Sequence, residues 1–191
     1  MTSKEALRAE ILRRRADRDE RQREAAGTAI ADLLPRIDVV KRASCVALYL
    51  STDTEPPTWT LADLLRERAV RVLTPLVRPG RRLDWAEYAG RGELRTAAYG
   101  ISEPATPPLG PEAVGAADVV VLPALAIDRH GHRLGRGAGY YDRALAYTNP
   151  VAARIAVVYA DELITHVPTE AHDEAVHFAV TPERIWACSA P

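Results

Sequence analysis

The chain of 191 residues is short of cysteine, short of lysine and without a long apolar run, and each shortage excludes a class of protein. Its 2 cysteines, Cys45 in an apolar run and Cys188 near the end, are too few for a disulfide framework. They read as a buried small hydrophobe and an incidental thiol. No apolar stretch approaches the roughly 20 residues of a membrane-spanning helix. The N-terminus mixes charges of both signs and has no apolar signal core, so a cytoplasmic protein is expected. A net charge of −1 gives no general pull toward nucleic acid or anionic membrane. Lys4 and Lys41 are the only lysines among 25 basic residues. Where arginine serves almost everywhere, a surviving lysine suggests a need for a compact ammonium. Lys4 is the candidate, whereas Lys41 precedes a strand and looks incidental.

Familiar motifs are missing too. No Gly-Lys pair is followed by Ser or Thr, as a P-loop requires, and from Gly135 and Gly137 the third glycine of a dinucleotide fingerprint would fall on Tyr140. There is no Gly-x-Ser-x-Gly elbow and no Cys/His pair placed for nucleophilic catalysis.

What is present is concentrated. Gly131, Gly135, Gly137 and Gly139, four of 11 glycines, fall within nine residues and are interleaved with Arg133 and Arg136. A helix-like segment, Tyr140 to Tyr147, follows. Glycine lets backbone N–H groups approach a ligand, and a helix N-terminus adds orphan donors and a positive dipole end, which together suit phosphate oxygens. Two arginines add bidentate charge recognition, and Asp142 offers a hard oxygen that reads either as a Mg²⁺ ligand or as a helix cap. His130 and His132 flank Gly131 but lack a third ligand, and read as loop residues.

Residues 3 to 34 read as one helix, opened by a capping box in Thr2 and Glu5 and stopped by Pro35. Its charged middle, Arg13 to Glu24, reads as a solvated face with local ion pairs. Apolar runs at Cys45 to Leu50, Val70 to Leu73, Val119 to Leu122, Ile155 to Tyr159 and Val176 to Val180 suit strands buried on both faces. With helical segments at Thr58 to Arg68 and Tyr140 to Tyr147, they predict a mainly parallel sheet covered on both sides. Arg81 to Pro111, rich in Gly and Pro, reads as an inserted hairpin plus a surface connection. Ligands of such sheets gather past the carboxyl ends of the strands, where Ser51, Glu55 and Arg133 to Asp142 all fall.

The stretch Arg133-Leu134-Gly135-Arg136-Gly137-Ala138-Gly139-Tyr140-Tyr141-Asp142-Arg143 resembles the signature of the 5-formyltetrahydrofolate cyclo-ligase family, the methenyltetrahydrofolate synthetases. Lys4 to Arg8, Tyr49-Leu50-Ser51 with Glu55, Tyr99 to Pro104, and Val167-Pro168 through Asp173 to Val180-Thr181 resemble it in the same order. The resemblance implies a single α/β domain over residues 1–191, a three-layer α/β/α arrangement like that of sugar-phosphate isomerases and coenzyme A transferases. It implies conversion of 5-formyltetrahydrofolate to 5,10-methenyltetrahydrofolate with ATP as co-substrate, Mg²⁺ as cofactor, and release of ADP and phosphate. Catalytic roles would fall to Arg133, Arg136 and Lys4. ATP would lie against Lys4, Glu5, Ala6, Leu7 and Arg8, and against Arg133, Leu134, Gly135, Arg136, Gly137, Ala138, Gly139, Tyr140 and Tyr141. The folate would meet Leu50, Glu55, Tyr99, Arg136, Gly137, Ala138, Gly139 and Tyr140, and the metal Asp142 and Asp173. Partners would be small molecules only, the reduced folate and ATP, and the protein a monomer.

From the residues alone, Glu55 reads as a turn carboxylate and Asp173 as surface charge, while Tyr99 and either tyrosine of the 140–141 pair read equally as core. Glu55 and the glycine loop, placed at different ends of the ligand pair, are expected to act independently. The sequence departs from the family pattern at His177, where an aspartate is common, and at Glu162, where a glutamine is usual. Two other classes fit less well: an isomerase or acyl-CoA transferase on the same fold, which would act without ATP turnover, and an RNA-binding module, which the net charge opposes.

Overall fold

The structure is a computed structural model that describes residues 3–52, 54–97, 101–170 and 174–189. Ser3 caps the first helix, its hydroxyl accepting from the Ala6 N–H at 3.2 Å, and α1 runs Lys4–Ala16. The expected single helix is therefore two. Asp19 and Gln22 form a reciprocal capping box, Gln22 N to Asp19 Oδ1 at 2.8 Å and Asp19 N to Gln22 Oε1 at 3.0 Å, and start α2 at Glu20–Leu33. A second start signal inside a helical pattern breaks it. Thr2 lies outside the described residues. A turn at Leu34–Arg36, holding Pro35, leads to the short α3, Asp38–Arg42.

A seven-stranded sheet follows. β1 (Cys45–Leu48), β2 (Arg71–Arg78), β6 (Val119–Pro123), β9 (Ala153–Val157) and β10 (Phe178–Val180) are parallel neighbours in the order β2-β1-β6-β9-β10. β3 (Arg82–Glu87) and β11 (Ile185–Ala187) close the two edges antiparallel. The small pairs β4 (Leu94–Thr96) with β5 (Ser102–Pro104) and β7 (Ala126–Ile127) with β8 (Arg133–Leu134) lie off the main sheet. The hairpin expected within residues 81 to 111 thus divides between the sheet edge and the β4–β5 pair.

Strand boundaries differ from the apolar runs for local reasons. β1 stops at Leu48, so Tyr49 and Leu50 leave the sheet, buried but unladdered. β2 runs five residues past Leu73 because β3 pairs with it through Arg78. Pro75 is tolerated there because β1 pairs only with Arg71 to Leu73.

Helices cover both faces as expected. Val46 and Leu48 face α2, α3 and α4 (Trp59–Glu67) through Ile30, Leu34, Val40, Leu61 and Leu65. Cys45 and Ala47 belong to the opposite cluster, with Val114 of the turn Pro111–Ala116 and Ala144 and Leu145 of α5 (Tyr140–Leu145). α1 packs separately, Ile11 against Leu125, Ala126, Leu134 and Val167. The chain leaves β1 for β2 on one side and returns to β6 on the other, so the strand order reverses at β1/β6. That reversal opens a crevice at the strand ends. Among the described residues, no helix is long and apolar enough to cross a membrane.

Candidate functional site

The crevice is occupied by a cavity of about 340 Å³. Its walls come from the segment after β1 (Tyr49, Leu50, Thr52, Glu55), the segment after β6 (Pro123, Ala124, Leu125), α1 (Lys4, Arg8, Arg15) and the whole loop from Arg133 to Asp142. β2, β3 and the segment at β5 add Pro75, Val77, Leu83, Ile101 and Ser102. Segments more than a hundred residues apart in sequence therefore meet in one place.

The segment after β1 is stapled before it reaches the cavity. Thr58 Oγ1 donates to the Tyr49 carbonyl at 2.6 Å and accepts from Ser51 N at 3.1 Å, while Ser51 Oγ accepts from Thr58 N at 3.1 Å. Within this staple Glu55 divides its oxygens: Oε2 accepts from Thr52 N at 2.9 Å, and Oε1 lies 3.3 Å from Arg136 Nη2. The Oε2 contact fits the turn reading of Glu55, while Oε1 faces the glycine loop. The expected independence of Glu55 and the glycine loop does not hold, since the loop arginine is its ion-pair partner. Sequence distance concealed the contact.

Arg8 of α1 helps to shape the loop. Arg8 Nε donates to the Gly135 carbonyl at 2.9 Å, across 127 residues of sequence. Gly137 sits at φ +90°, and a Cβ there would lie 3.2 Å from the Arg8 guanidinium carbon. Glycine is required for that stacking as well as for the backbone conformation. Gly139, at φ +71°, is the N-cap of α5. α5 is only six residues long, shorter than the segment expected to 147, so the dipole adds little and side-chain cations carry the positive field.

Arg133 is anchored, its Nη2 paired with Asp142 Oδ1 and its Nη1 donating to the Glu174 carbonyl at 2.7 Å. Asp142 stands in the first turn of α5 and caps nothing, which removes the cap reading. Arg136 is a half-exposed cation of the loop. Lys4 faces the cavity too, with Nζ 2.8 Å from Glu170 Oε1. Glu5 and Ala6 are exposed and Leu7 packs against the α1 cluster, so none of the three lines the cavity. Lys4 and Arg8, four residues apart, share a helix face. Tyr99 and Asp173 lie outside the described residues.

Burial pushes the Tyr49 hydroxyl well above the ordinary tyrosine range, with Glu55 adding to the effect. Burial and then Glu55 do the same to Tyr141. Both stay neutral near pH 7 and can only donate or accept hydrogen bonds. Tyr140 and Tyr141 each line the cavity and also touch the core, so the two readings of the pair coexist.

Arg15, Tyr159 and Asp128 were not singled out by the sequence. Arg15, placed there in a solvated stretch, is 1% exposed: Nε and Nη2 grip Glu162 Oε1 and Oε2 at 2.7 Å each, and Nη2 also donates to the Ala124 carbonyl at 2.7 Å. Tyr159 lies beneath, with the Arg15 guanidinium 5.7 Å and the Arg18 guanidinium 4.0 Å from its ring centre. Asp128, fully buried, accepts from His130 N (2.9 Å), His132 N (3.1 Å) and Val167 N (3.1 Å), and meets His132 Nδ1 at 3.0 Å. Its burial alone would raise its pKa, but these hydrogen bonds outweigh that and hold the carboxyl below the usual range. The Asp-x-His-x-His spacing was the available signal for Asp128, and the two histidines are loop residues as expected. Arg15 had none, because its partner is 147 residues away. Glu162 is thereby accounted for as the counter-ion of Arg15. His177 sits elsewhere, its Nδ1 accepting from Arg154 N at 2.9 Å.

An α/β fold with a cation-lined cleft at the strand-order reversal suits anionic ligands. The comparisons with known proteins narrow this. Residues 1–182 match the model of the 5-formyltetrahydrofolate cyclo-ligase family, and the chain belongs to that family. It is 40% identical over 187 residues to the 5-formyltetrahydrofolate cyclo-ligase of Mycolicibacterium smegmatis, covering 95% of both chains. To the Escherichia coli enzyme of the same name it is 30% identical over 177 residues, covering 91% of this chain and 97% of that one. The solved structure of Aquifex aeolicus 5,10-methenyltetrahydrofolate synthetase superposes with a TM-score of 0.81 at 27% identity, over 98% of this chain and 94% of that chain.

Proposed function

We propose that this chain catalyses the ATP-dependent closure of 5-formyltetrahydrofolate to 5,10-methenyltetrahydrofolate with release of ADP and phosphate, as a cytoplasmic monomer folded as one unit. The observation that carries the reading is the meeting of Arg8 with the glycine loop and of Arg136 with Glu55 in one cleft. The formamide oxygen is a poor leaving group, so attack by N10 stalls at the loss of water. Transfer of the γ-phosphoryl to that oxygen forms the new O–P bond and breaks the bridge to ADP. N10 then attacks the formyl carbon and loses its proton, the C–O bond breaks, and phosphate departs with the former formyl oxygen.

Such a reaction asks the protein for alignment and charge neutralisation, not for a nucleophile. Arg8, Arg136 and Lys4 offer positive charge at the loop, and Arg133, held by Asp142 and Glu174, adds more. Glu55 suits the donor-rich edge of a pterin, and Tyr49 and Tyr141 stay neutral as walls of that pocket. Among the described residues no group of three or more His, Cys, Asp or Glu side chains could hold a metal ion by itself. Mg²⁺ keeps waters and takes one or two carboxylates together with substrate phosphates. Asp142 would hold it, and Asp173 is the second carboxylate proposed; when bound, Mg²⁺ would neutralise charge on the phosphates. The test is the absorbance of the methenyl product from 5-formyltetrahydrofolate. We expect product only with ATP and Mg²⁺ present; ATP-independent product, or none, would overturn the proposal.

A further inference from the structure

Arg15 is a charge buried where stability alone does not call for one. Its guanidinium is 1% exposed yet forms part of the cavity wall beside Tyr49 and Ala124. Burial by itself would lower its pKa, but Glu162 outweighs that and keeps the group charged. A buried ion pair of this kind gains little over a well-packed neutral pair, because desolvation consumes most of the attraction. The pair therefore calls for a reason beyond the fold.

The hydrogen-bond pattern supplies one. Nε and Nη2 are committed to Glu162 and Ala124, while Nη1 makes no hydrogen bond among the described residues. Glu162 itself is fixed, its Oε2 accepting from Tyr159 N at 2.8 Å, so the guanidinium plane cannot swing. Tyr159 ties this group to the Glu55 segment of the same cavity, its hydroxyl donating to the Glu55 carbonyl at 3.4 Å while its ring lies under Arg15. One wall thus presents a carboxylate acceptor at Glu55 and a rigid N–H donor at Arg15. A pterin edge carries the complement: an amino group and a ring N–H that donate, next to a carbonyl that accepts.

We infer that Arg15 is a substrate-contacting, specificity-determining residue, its Nη1 donating to the ring carbonyl of the pterin whose amino edge is held by Glu55. The inference rests on the folate reading above. It implies discrimination: replacing the ring carbonyl by an amino group would set donor against donor at a buried site, which costs about 5- to 150-fold in affinity.

The experiment compares 5-formyltetrahydrofolate with its 4-amino analogue as competing ligands of the wild-type chain and of the double variant Arg15→Leu/Glu162→Gln. The double variant removes both charges together, so no unpaired carboxylate is left buried. We expect the wild type to prefer the carbonyl form by about 5- to 150-fold, and the double variant to lose most of that preference while its KM for the folate rises more than its KM for ATP. A counter-ion role alone predicts that the double variant, once both charges are gone, binds and discriminates like the wild type; that result would overturn the inference. So would equal affinity of the wild type for the two ligands, which needs no variant to fold. Wild-type turnover of 5-formyltetrahydrofolate, together with a weakened folate KM in Glu55→Gln, checks the underlying folate reading on its own. Failure there would take the Arg15 inference down with it, whereas success there with equal ligand affinities would remove Arg15 alone.

Discussion

Arg136 and Asp128 separate two kinds of contribution that single residues make to the cleft. Arg136 is half exposed and held only by the 3.3 Å contact with Glu55, so it contributes little to the fold. Its planar fork can bridge a phosphate and a substrate group, which a point charge cannot. Arg136→Lys should leave the melting temperature unchanged and lower kcat about 10²-fold, the usual loss for one well-placed cation. Steady-state kinetics beside a thermal melt checks this, and near-normal turnover would remove Arg136 from the machinery. Asp128 touches no part of the cavity, yet it organises the turn that delivers Arg133 and the glycine loop. Asp128→Asn keeps an acceptor but sets an amide donor against N–H groups, so a loss of about 1–3 kcal/mol is expected. The folded chain binds this proton less readily than the unfolded chain, whose carboxyl titrates near about pH 4. The stability owed to the carboxylate is therefore complete above that pH and falls as acid passes down through the lowered value. Denaturation of wild type and variant should differ most at neutral pH and converge as the pH falls through the lowered value. The charge pattern of the sequence revealed Arg136 but not Arg15, since burial of an arginine depends on a partner brought in by the fold.

At the scale of elements, α1 is the piece that joins fold to site. Its buried anchor is Ile11, set among Leu125, Ala126, Leu134 and Val167. Arg14, Arg15 and Arg18 grip the turn Ala160–Glu162 from the same side, Arg14 at 3.4 Å from Asp161. Lys4 and Arg8 project from the other end toward the cavity. Ile11→Ala should cost about 2–4 kcal/mol through the cavity it leaves. Because the cations ride on the helix, the same change should raise KM for ATP at temperatures where the fold persists. Denaturant unfolding and initial rates check both parts, and an unchanged KM would mean that α1 does not position the cations. Apolar periodicity was enough to locate this helix, but its end was misjudged. The Asp19–Gln22 capping box lies inside a charged stretch that reads as continuous helix. The strands were better marked, because buried parallel strands are nearly unbroken apolar runs. Where a strand ran on, as β2 does beyond Leu73, the cause was a hairpin partner that no local pattern displays.

Across the whole molecule, the site follows from topology. Turning from β2 back across β1 to β6 leaves a crevice between the ends of β1 and β6, and α1 and the glycine loop close over it. The sequence indicated the place through Glu55 and the loop after β6, each lying past a strand end. It did not indicate that Glu55 and Arg136 touch, or that Arg8 fills the space left by Gly137, because both contacts arise only when distant segments are folded together. The central claim is that this crevice activates the formyl oxygen by phosphoryl transfer. The measurement that reaches it most directly uses 5-formyltetrahydrofolate carrying ¹⁸O in the formyl group, with mass analysis of the phosphate released in a single turnover. The account predicts that the heavy oxygen appears in inorganic phosphate. Unlabelled phosphate, with the heavy oxygen lost to water, would contradict it.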